Sequence, residues 1–385
     1  MRLNDLKPLV KRNRFIYWMY YHMMSLWVNV MRLFVKTDDK LILFVSFGGR
    51  RFTDSPRAIY EAMRKDSRFA GYRLTWAFID PTRYPQIENR IRIDSFNYYK
   101  TALKARCWIT NVLVERALNF SGKHTFYLYT DHGGPIKKCG IDLNNLSFSS
   151  LSKYRYDASI AQSEFDRAIR ANQYQMDENK VFLTGMPKND ILCQYSDKKR
   201  KAFRSSLGIQ DDQKKVVLYA PTFREYRYVG TFDSPKTDFH KWHDFLGEDY
   251  VILYRAHPIA NKISIVHEDW LIDVSPYECI EPLLIASDML VSDYSGLLPD
   301  YSILHKPIYL YLYDYEQYNS TRGLYIDLKN ELPSAENEED LLKMIKQGET
   351  KEQKEKVLRF QKKYASVYGG ASAKVADLIY NSLCL

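Results

Sequence analysis

Five cysteines in 385 residues (Cys107, Cys139, Cys193, Cys279 and Cys384) form no CxxC pair and no zinc-type spacing. Their odd number and wide scatter exclude a disulfide framework and suit a reducing cytoplasm. No G-x-x-x-x-G-K-[ST] occurs, so there is no P-loop, and no G-x-S-x-G hydrolase elbow is present. No D-x-D occurs, which leaves a metal-bound nucleotide-sugar site of that type without an anchor; no metal and no cofactor are expected. The pair His240 and His243 has helical i, i+3 spacing but no neighbouring ligand pattern, so metal binding is not expected there either. Solenoid repeats and low-complexity segments are also missing.

What is there is enough apolar material for real cores. Hydrophobic residues make up 45% of the chain, and its length predicts two domains of ordinary size. The net charge is +9 and is concentrated at one end: residues 1–37 hold seven Lys and Arg against Asp5 alone, a net of +6. The rest of the chain is close to +3, a weak electrostatic case for nucleic acid, which is not expected as a partner. Within the basic segment runs "FIYWMYYHMMSLWVNVMRLFV", Phe15 to Val35, rich in Tyr and Trp. Such a helix suits the surface of an anionic membrane. The same residues permit a single span, for which the stretch is barely long enough, or a helix docked on the protein's own body or a partner. No small-residue cleavage site follows, so a cleaved signal peptide is not expected.

From Asp38 onward, short apolar runs alternate with helical patterns. "LILFVSFGG" reads as a strand feeding a glycine turn, and "SPRAIYEAMRKD" as a helix with Ser55 as N-cap and Pro56 at its first position. Further strands are "YRLTWAFID", "RCWITN", "HTFYLYT", "ASIAQS" and "KVFLTG". After a charged stretch, a second series begins at "VVLYAPTFRE" and continues through "YVILYRAHP", "WLIDVS", "ASDMLVSDYSG" and "KPIYLYLYD". This alternation predicts an α/β protein with two Rossmann-type parallel sheets facing across a cleft. The boundaries expected are a membrane-associating helix over 1–37, a first Rossmann-like domain over 38–195, a linker over 196–215, a second domain over 216–360 and a terminal helix over 361–385.

Ligands of such sheets bind beyond the carboxyl ends of the strands, and four residue groups fall there. His132 in "YTDHGGPIKK" is followed by Gly133 and Gly134, which leave room for a close ligand, and by Lys137 and Lys138. A histidine can take a proton from a hydroxyl near neutral pH, although an ordinary turn histidine fits the same spacing. Arg255 and His257, one residue apart in "YRAHP", point the same way on an extended chain and could meet a phosphate. Thr222 and Arg224 in "APTFRE" could grip an anion, and an arginine there could equally form an ordinary ion pair. In "SDYSGLLPD", Ser295 and Gly296 could present hydroxyl and N–H groups to a phosphate, with Asp293 and Asp300 as ribose contacts or helix caps.

The order of these motifs resembles the CDP-glycerol glycerophosphotransferase family, the teichoic-acid primases and polymerases. "SFGGRRFTDSPRAIYEAM" is similar to its first strand and helix, "HGGPIK" to H-G-T-P-L-K, and "TGMPKNDIL" to T-G-x-P-R-N-D-x-L. "LYAPTFRE", "YRAHP", "SDYSGLLPD", "KPIYLYLYDYEQY" and "RGLYIDL" follow in family order, so the resemblance runs from Leu41 to Ser372. It implies a GT-B-like fold and peripheral, monotopic attachment to the cytoplasmic face of the plasma membrane. His132 falls on the family's catalytic base and His257 on a phosphate-contacting histidine. Thr222, Arg224, Arg255, His257, Asp293, Ser295, Gly296 and Asp300 fall on the donor side. Ser46, Gly48, Gly133, Gly134 and Lys137 fall on the acceptor side. The implied donor is CDP-glycerol, CDP-ribitol or another CDP-polyol, and the implied acceptor is a lipid-linked glycan. A GT-B glycosyltransferase using a nucleotide sugar is the alternative reading, and an inactive membrane-bound scaffold a further one. The chain departs from the family at Asp131, usually Trp; Gly134, usually Thr; Lys188, usually Arg; and Gly296, usually a second Ser.

Overall fold

A computed structural model describes residues 13–142, 155–224, 237–256 and 268–384. His257 lies outside the described residues. The strands form two separate, wholly parallel sheets. The first has the order β3-β2-β1-β4-β5-β6-β7, from β1 (Asp38–Val45), β2 (Arg73–Phe78), β3 (Arg90–Arg92), β4 (Ala105–Thr110), β5 (Phe126–Tyr129), β6 (Ala158–Ala161) and β7 (Val181–Leu183). The second has the order β10-β9-β8-β11-β12-β13, from β8 (Lys215–Tyr219), β9 (Tyr250–Tyr254), β10 (Leu271–Asp273), β11 (Met289–Ser292), β12 (Ile308–Tyr311) and β13 (Ser334–Ala335). The inner strands are short apolar runs largely buried on both faces, as parallel sheets covered by helices require, while the edge strand β3 is Arg-Ile-Arg and mostly exposed. In each sheet the strand order reverses once, between β1 and β4 and between β8 and β11. The loops that follow those strands therefore open a crevice.

Among the helices, α1 (Arg14–Phe34) lies on the first sheet's body. Val28 is fully buried there, Ser25 Oγ accepts the Asn119 N–H (2.9 Å), and Asn29 Nδ2 donates to the Asn119 carbonyl (2.8 Å). The opposite face of α1 is open, with Phe15, Met23, Leu26, Leu33 and Phe34 each more than 60% exposed. No helix among the described residues is long and apolar enough to cross a membrane. Helix α2 (Asp54–Lys65) starts one residue before the expected cap: Thr53 is the N-cap, and Ser55 lies buried inside the first turn. The charged stretch read as a helix and linker does contain a helix, and it packs against the second sheet's body. Its residues Asp197–Ser206 are helical, and the buried Arg204 donates to the Ala286 carbonyl (2.9 Å) and pairs with Asp288.

Helix α3 (Glu164–Tyr174) follows β6, and the six-residue α4 (Leu297–Ser302) follows β11. The chain ends in two helices, not one. In α5 (Lys351–Tyr364), Val357, Phe360 and Tyr364 join the second sheet's core. In α6 (Ala371–Cys384), Val375, Ala376 and Ile379 cross back to join the first sheet's core.

Candidate active site

The two crevices share one cavity of about 1020 Å³, walled by loops from both sheets and by Tyr17, Tyr20 and Met24 of α1. His132, Gly133, Gly134 and Lys137 face it from the loop after β5, and Gly48 from the turn after β1. Thr222, Arg255, Ser295, Gly296 and Asp300 face it from the second half. Most of the residues singled out from sequence are thus brought to one space, although they come from loops up to about 250 positions apart.

The loop that carries His132 also joins the halves. Gly134 N donates to the Gly296 carbonyl (3.1 Å), Lys138 N to the Gly323 carbonyl (3.0 Å), and Tyr325 N to the Ile136 carbonyl (3.0 Å). The glycines are needed at the first of these contacts. A Cβ on Gly296 would stand 3.0 Å from the Gly134 carbonyl oxygen, and one on Gly134 would stand 2.7 Å from the Pro299 ring. His132 has half of its side chain open to the cavity. Its ring meets the Phe47 ring edge-on, at 5.5 Å between centroids. Nδ1 lies 3.1 Å from Asp131 Oδ1 and 3.3 Å from the Asn111 carbonyl oxygen. Burial works against the imidazolium, but the Asp131 carboxylate and, farther off, Asp54 outweigh it, so the pKa of His132 is raised.

Lys188 holds this loop from beneath. Its ammonium donates to the His132 carbonyl (3.1 Å) and pairs with Asp300 (2.8 Å) and, more distantly, with Asp54 (3.9 Å). Asp300 also accepts from Asn189 Nδ2 (2.7 Å). A carboxylate so engaged joins the halves of the molecule instead of standing ready for a ribose hydroxyl. Glu281, buried at the same cavity wall, has its carboxyl pushed up to about 7 by burial, partly offset by Lys188.

Three expected contact residues do not line the cavity. Arg224 is fully buried, and its guanidinium is shared between Asp293 (2.8 Å) and Asp314 (2.6 Å). It is an internal ion pair, not an anion grip, because two carboxylates already neutralise it. Asp293 is the partner in that pair and also accepts from Thr222 Oγ1 (2.8 Å) and Thr222 N (2.9 Å). The pair thereby fixes the loop that presents Thr222. Ser46 is buried, with its hydroxyl donating to the Thr53 carbonyl (3.0 Å).

Arg255 does face the cavity. Burial first, and then the like charge of Arg51 across the cleft, lower its pKa to about 10. Two guanidiniums facing one cavity would both gain from an anion between them. Arg51, Lys188, Asp54, Glu281 and Arg170 were not legible as site residues, since each is an ordinary charged residue on a helix or turn. His240 and His243 pack against Trp270, the latter stacked at 4.3 Å.

Comparison with known proteins agrees with this arrangement. The family described as CDP-Glycerol:Poly(glycerophosphate) glycerophosphotransferase matches residues 27–381. The teichoic acid poly(glycerol phosphate) polymerase of Staphylococcus epidermidis is 32% identical over 370 residues, covering 89% of this chain and 51% of that protein. The teichoic acid glycerol-phosphate transferase of Staphylococcus aureus is 31% identical over 380 residues, covering 91% of this chain and 96% of that protein. The chain thus spans about half of the first relative and nearly all of the second. In structure it is similar to the wall teichoic acid polymerase TagF, solved after soaking with CDPG, with a TM-score of 0.83 at 28% identity over 100% of this chain and 98% of that one. The resemblance read from the motif order is borne out, and the chain belongs to the CDP-glycerol:poly(glycerophosphate) glycerophosphotransferase family.

Proposed function

We propose that this chain transfers glycerol phosphate, or a related polyol phosphate, from a CDP-activated donor to a hydroxyl of a membrane-linked acceptor in cell-surface polymer synthesis. The observation that carries this reading is a histidine with half of its side chain exposed, set in a cleft between two parallel sheets in a chain of this family. His132 takes the proton of the acceptor hydroxyl. The freed oxygen bonds to the β-phosphorus, the bond from that phosphorus to the bridging oxygen breaks, and CMP leaves with the electron pair. Arg255 and Arg51 balance the phosphate charge, with the Ser295 hydroxyl as a neutral donor beside them and Thr222 on the same wall. Positioning and fixed charge carry most of the work in such a transfer. His257 is assigned to the donor phosphate by its place in the family motif alone.

The acceptor enters from the first-sheet side, where Gly48, Gly133, Gly134 and Lys137 line the cavity beside α1. The open apolar face of α1 supports a position flat on the cytoplasmic leaflet, and the net charge of +6 over residues 1–37 favours an anionic one. This arrangement would bring a lipid-linked glycan to the cavity mouth.

The test is nucleotide release from CDP-glycerol, CDP-ribitol and UDP-glucose, with membrane lipids as acceptor, comparing the wild type with His132→Ala. The expected result is CMP from one CDP-polyol, reduced at least about 100-fold in the variant, the usual scale of a lost general base. UDP release from UDP-glucose would move the chain to sugar transfer. Unchanged CMP release by the variant would remove His132 from the role.

A further inference from the structure

The residue before the histidine departs from the family pattern, and the structure gives that departure a physical role. We infer that Asp131 is a positioning residue for His132: it holds the imidazole with its proton on Nδ1, so that Nε2 is the atom that receives the acceptor proton. This rests on His132 acting as the base, as read above.

Two acceptors face Nδ1, the Asp131 carboxylate at 3.1 Å and the Asn111 carbonyl at 3.3 Å. An unprotonated Nδ1 would set its lone pair against both oxygens. A protonated one donates to them and leaves the lone pair on Nε2. The carboxylate is itself locked. Its Oδ1 accepts the His132 backbone N–H (2.7 Å), and its Oδ2 accepts from Arg170 Nη1 (2.7 Å) and the Tyr174 hydroxyl (2.9 Å). Arg170, almost wholly buried, is fixed in turn by Asp166 (2.6 Å) and by the Gly133 carbonyl (2.8 Å). Two residues of α3 therefore set the carboxylate, and the carboxylate sets the ring.

The backbone cooperates. Asp131 has φ +54, in the left-handed region that aspartate enters more readily than a bulky side chain does. This conformation lets its short side chain reach back to the next residue's N–H and ring. The charged groups around the imidazole are Asp131 on its own loop, Asp54 on α2 and Lys188 beyond β7. Asp131 remains ionised: burial alone would raise its pKa, but the Arg170 guanidinium and the bonds from His132 hold it well below the usual carboxylate range. A fixed negative charge beside Nδ1 favours the imidazolium that forms as the proton leaves the acceptor. Carboxylate–histidine pairs in hydrolases work on the same principle.

The test is nitrogen-15 NMR of the histidine-labelled full chain, with the His132 signals assigned from His132→Gln. The expected wild-type result is the Nδ1–H tautomer above the titration, with a midpoint above that of an ordinary histidine. In Asp131→Asn, which keeps an oxygen for Nδ1–H and leaves Asp166 to pair Arg170, the midpoint should fall by about one pH unit. With a turned-over CDP-polyol, kcat should fall about 10–100-fold with KM within about twofold, and the acid limb of kcat/KM should move to lower pH. An Nε2–H tautomer in the wild type, or an unmoved titration in a folded Asp131→Asn, overturns the inference. If that variant does not fold, the wild-type tautomer alone decides. If no donor is turned over, the reaction assignment falls while the tautomer and titration still judge Asp131.

Discussion

Arg224 and Arg255 follow neighbouring strands, β8 and β9, and both look like phosphate ligands in one dimension. Their surroundings separate them. Arg224 is enclosed by Asp293, Asp314 and the rings of Tyr294, Tyr313 and Tyr318, so its charge is matched inside the protein. Arg255 donates to the Val274 carbonyl (3.0 Å), faces the like charge of Arg51 and, among the described residues, makes no ion pair with a carboxylate, although Glu281 and Asp273 lie near enough to favour its charged form. Glu115 is a residue-scale case of the reverse kind. Its carboxyl accepts from the Tyr127 hydroxyl (2.8 Å) and is pushed up to about 7 by burial. Because the folded-state pKa is raised, the folded chain binds a proton that the unfolded chain has released. Stability is therefore complete below the ordinary carboxylate range and is lost as pH rises toward about 7. Glu115→Gln keeps an acceptor for Tyr127 and removes this slope. At pH 8 it should be more stable than wild type by about 1–3 kcal/mol, with the gain vanishing near pH 4. Denaturant titrations at the two pH values check this.

At the scale of elements, the segment from β5 to Asp142 both carries His132 and ties the sheets together. Gly134 and Gly296, two of the family departures, touch one another through the Gly134 N–H and the Gly296 carbonyl. Each position is visible in the sequence as a missing side chain. That the two gaps meet is not, because 162 positions separate them. Restoring Thr at 134 would drive its Cβ to 2.7 Å from the Pro299 ring and 3.2 Å from Gln162 Nε2. Gly134→Thr should cost about 1–3 kcal/mol by overpacking and should lower CMP release, since the loop that carries His132 must shift. Adding Gly296→Ser should not rescue it, because that Cβ meets backbone from the same loop. Thermal melts and turnover of the single and double variants test the point.

At the scale of the whole molecule, α1 presents two faces with different destinations. One docks through Ser25, Val28 and Asn29, as one of the sequence readings allowed. The other leaves Leu26 and Leu33 on the same outward stripe as Met19, Met23 and Val30. The cavity reaches the helix from the inside, so one element carries both part of the cavity wall and the exposed apolar stripe. Wild-type protein should sediment with anionic phosphatidylglycerol vesicles, less so at high salt. Leu26→Glu with Leu33→Glu should weaken binding more than about tenfold, because burial of each leucine contributes roughly 1.5–3 kcal/mol. Unchanged binding would assign the outer face to another partner.

The sequence by itself determined the alternation of strands and helices, the two parallel sheets, the family and the position of His132. These follow from local periodicity and from motifs that lie within a few residues of one another. Tertiary structure alone decided which charges are paired among the described residues. It matched Arg224 with Asp314 across 90 positions, paired Lys188 with Asp300 and set Arg170 behind Asp131, leaving Arg255 facing Arg51. It also returned α6 to the first core. Desolvation and ion pairing depend on distance in space, and chain order carries almost none of that information.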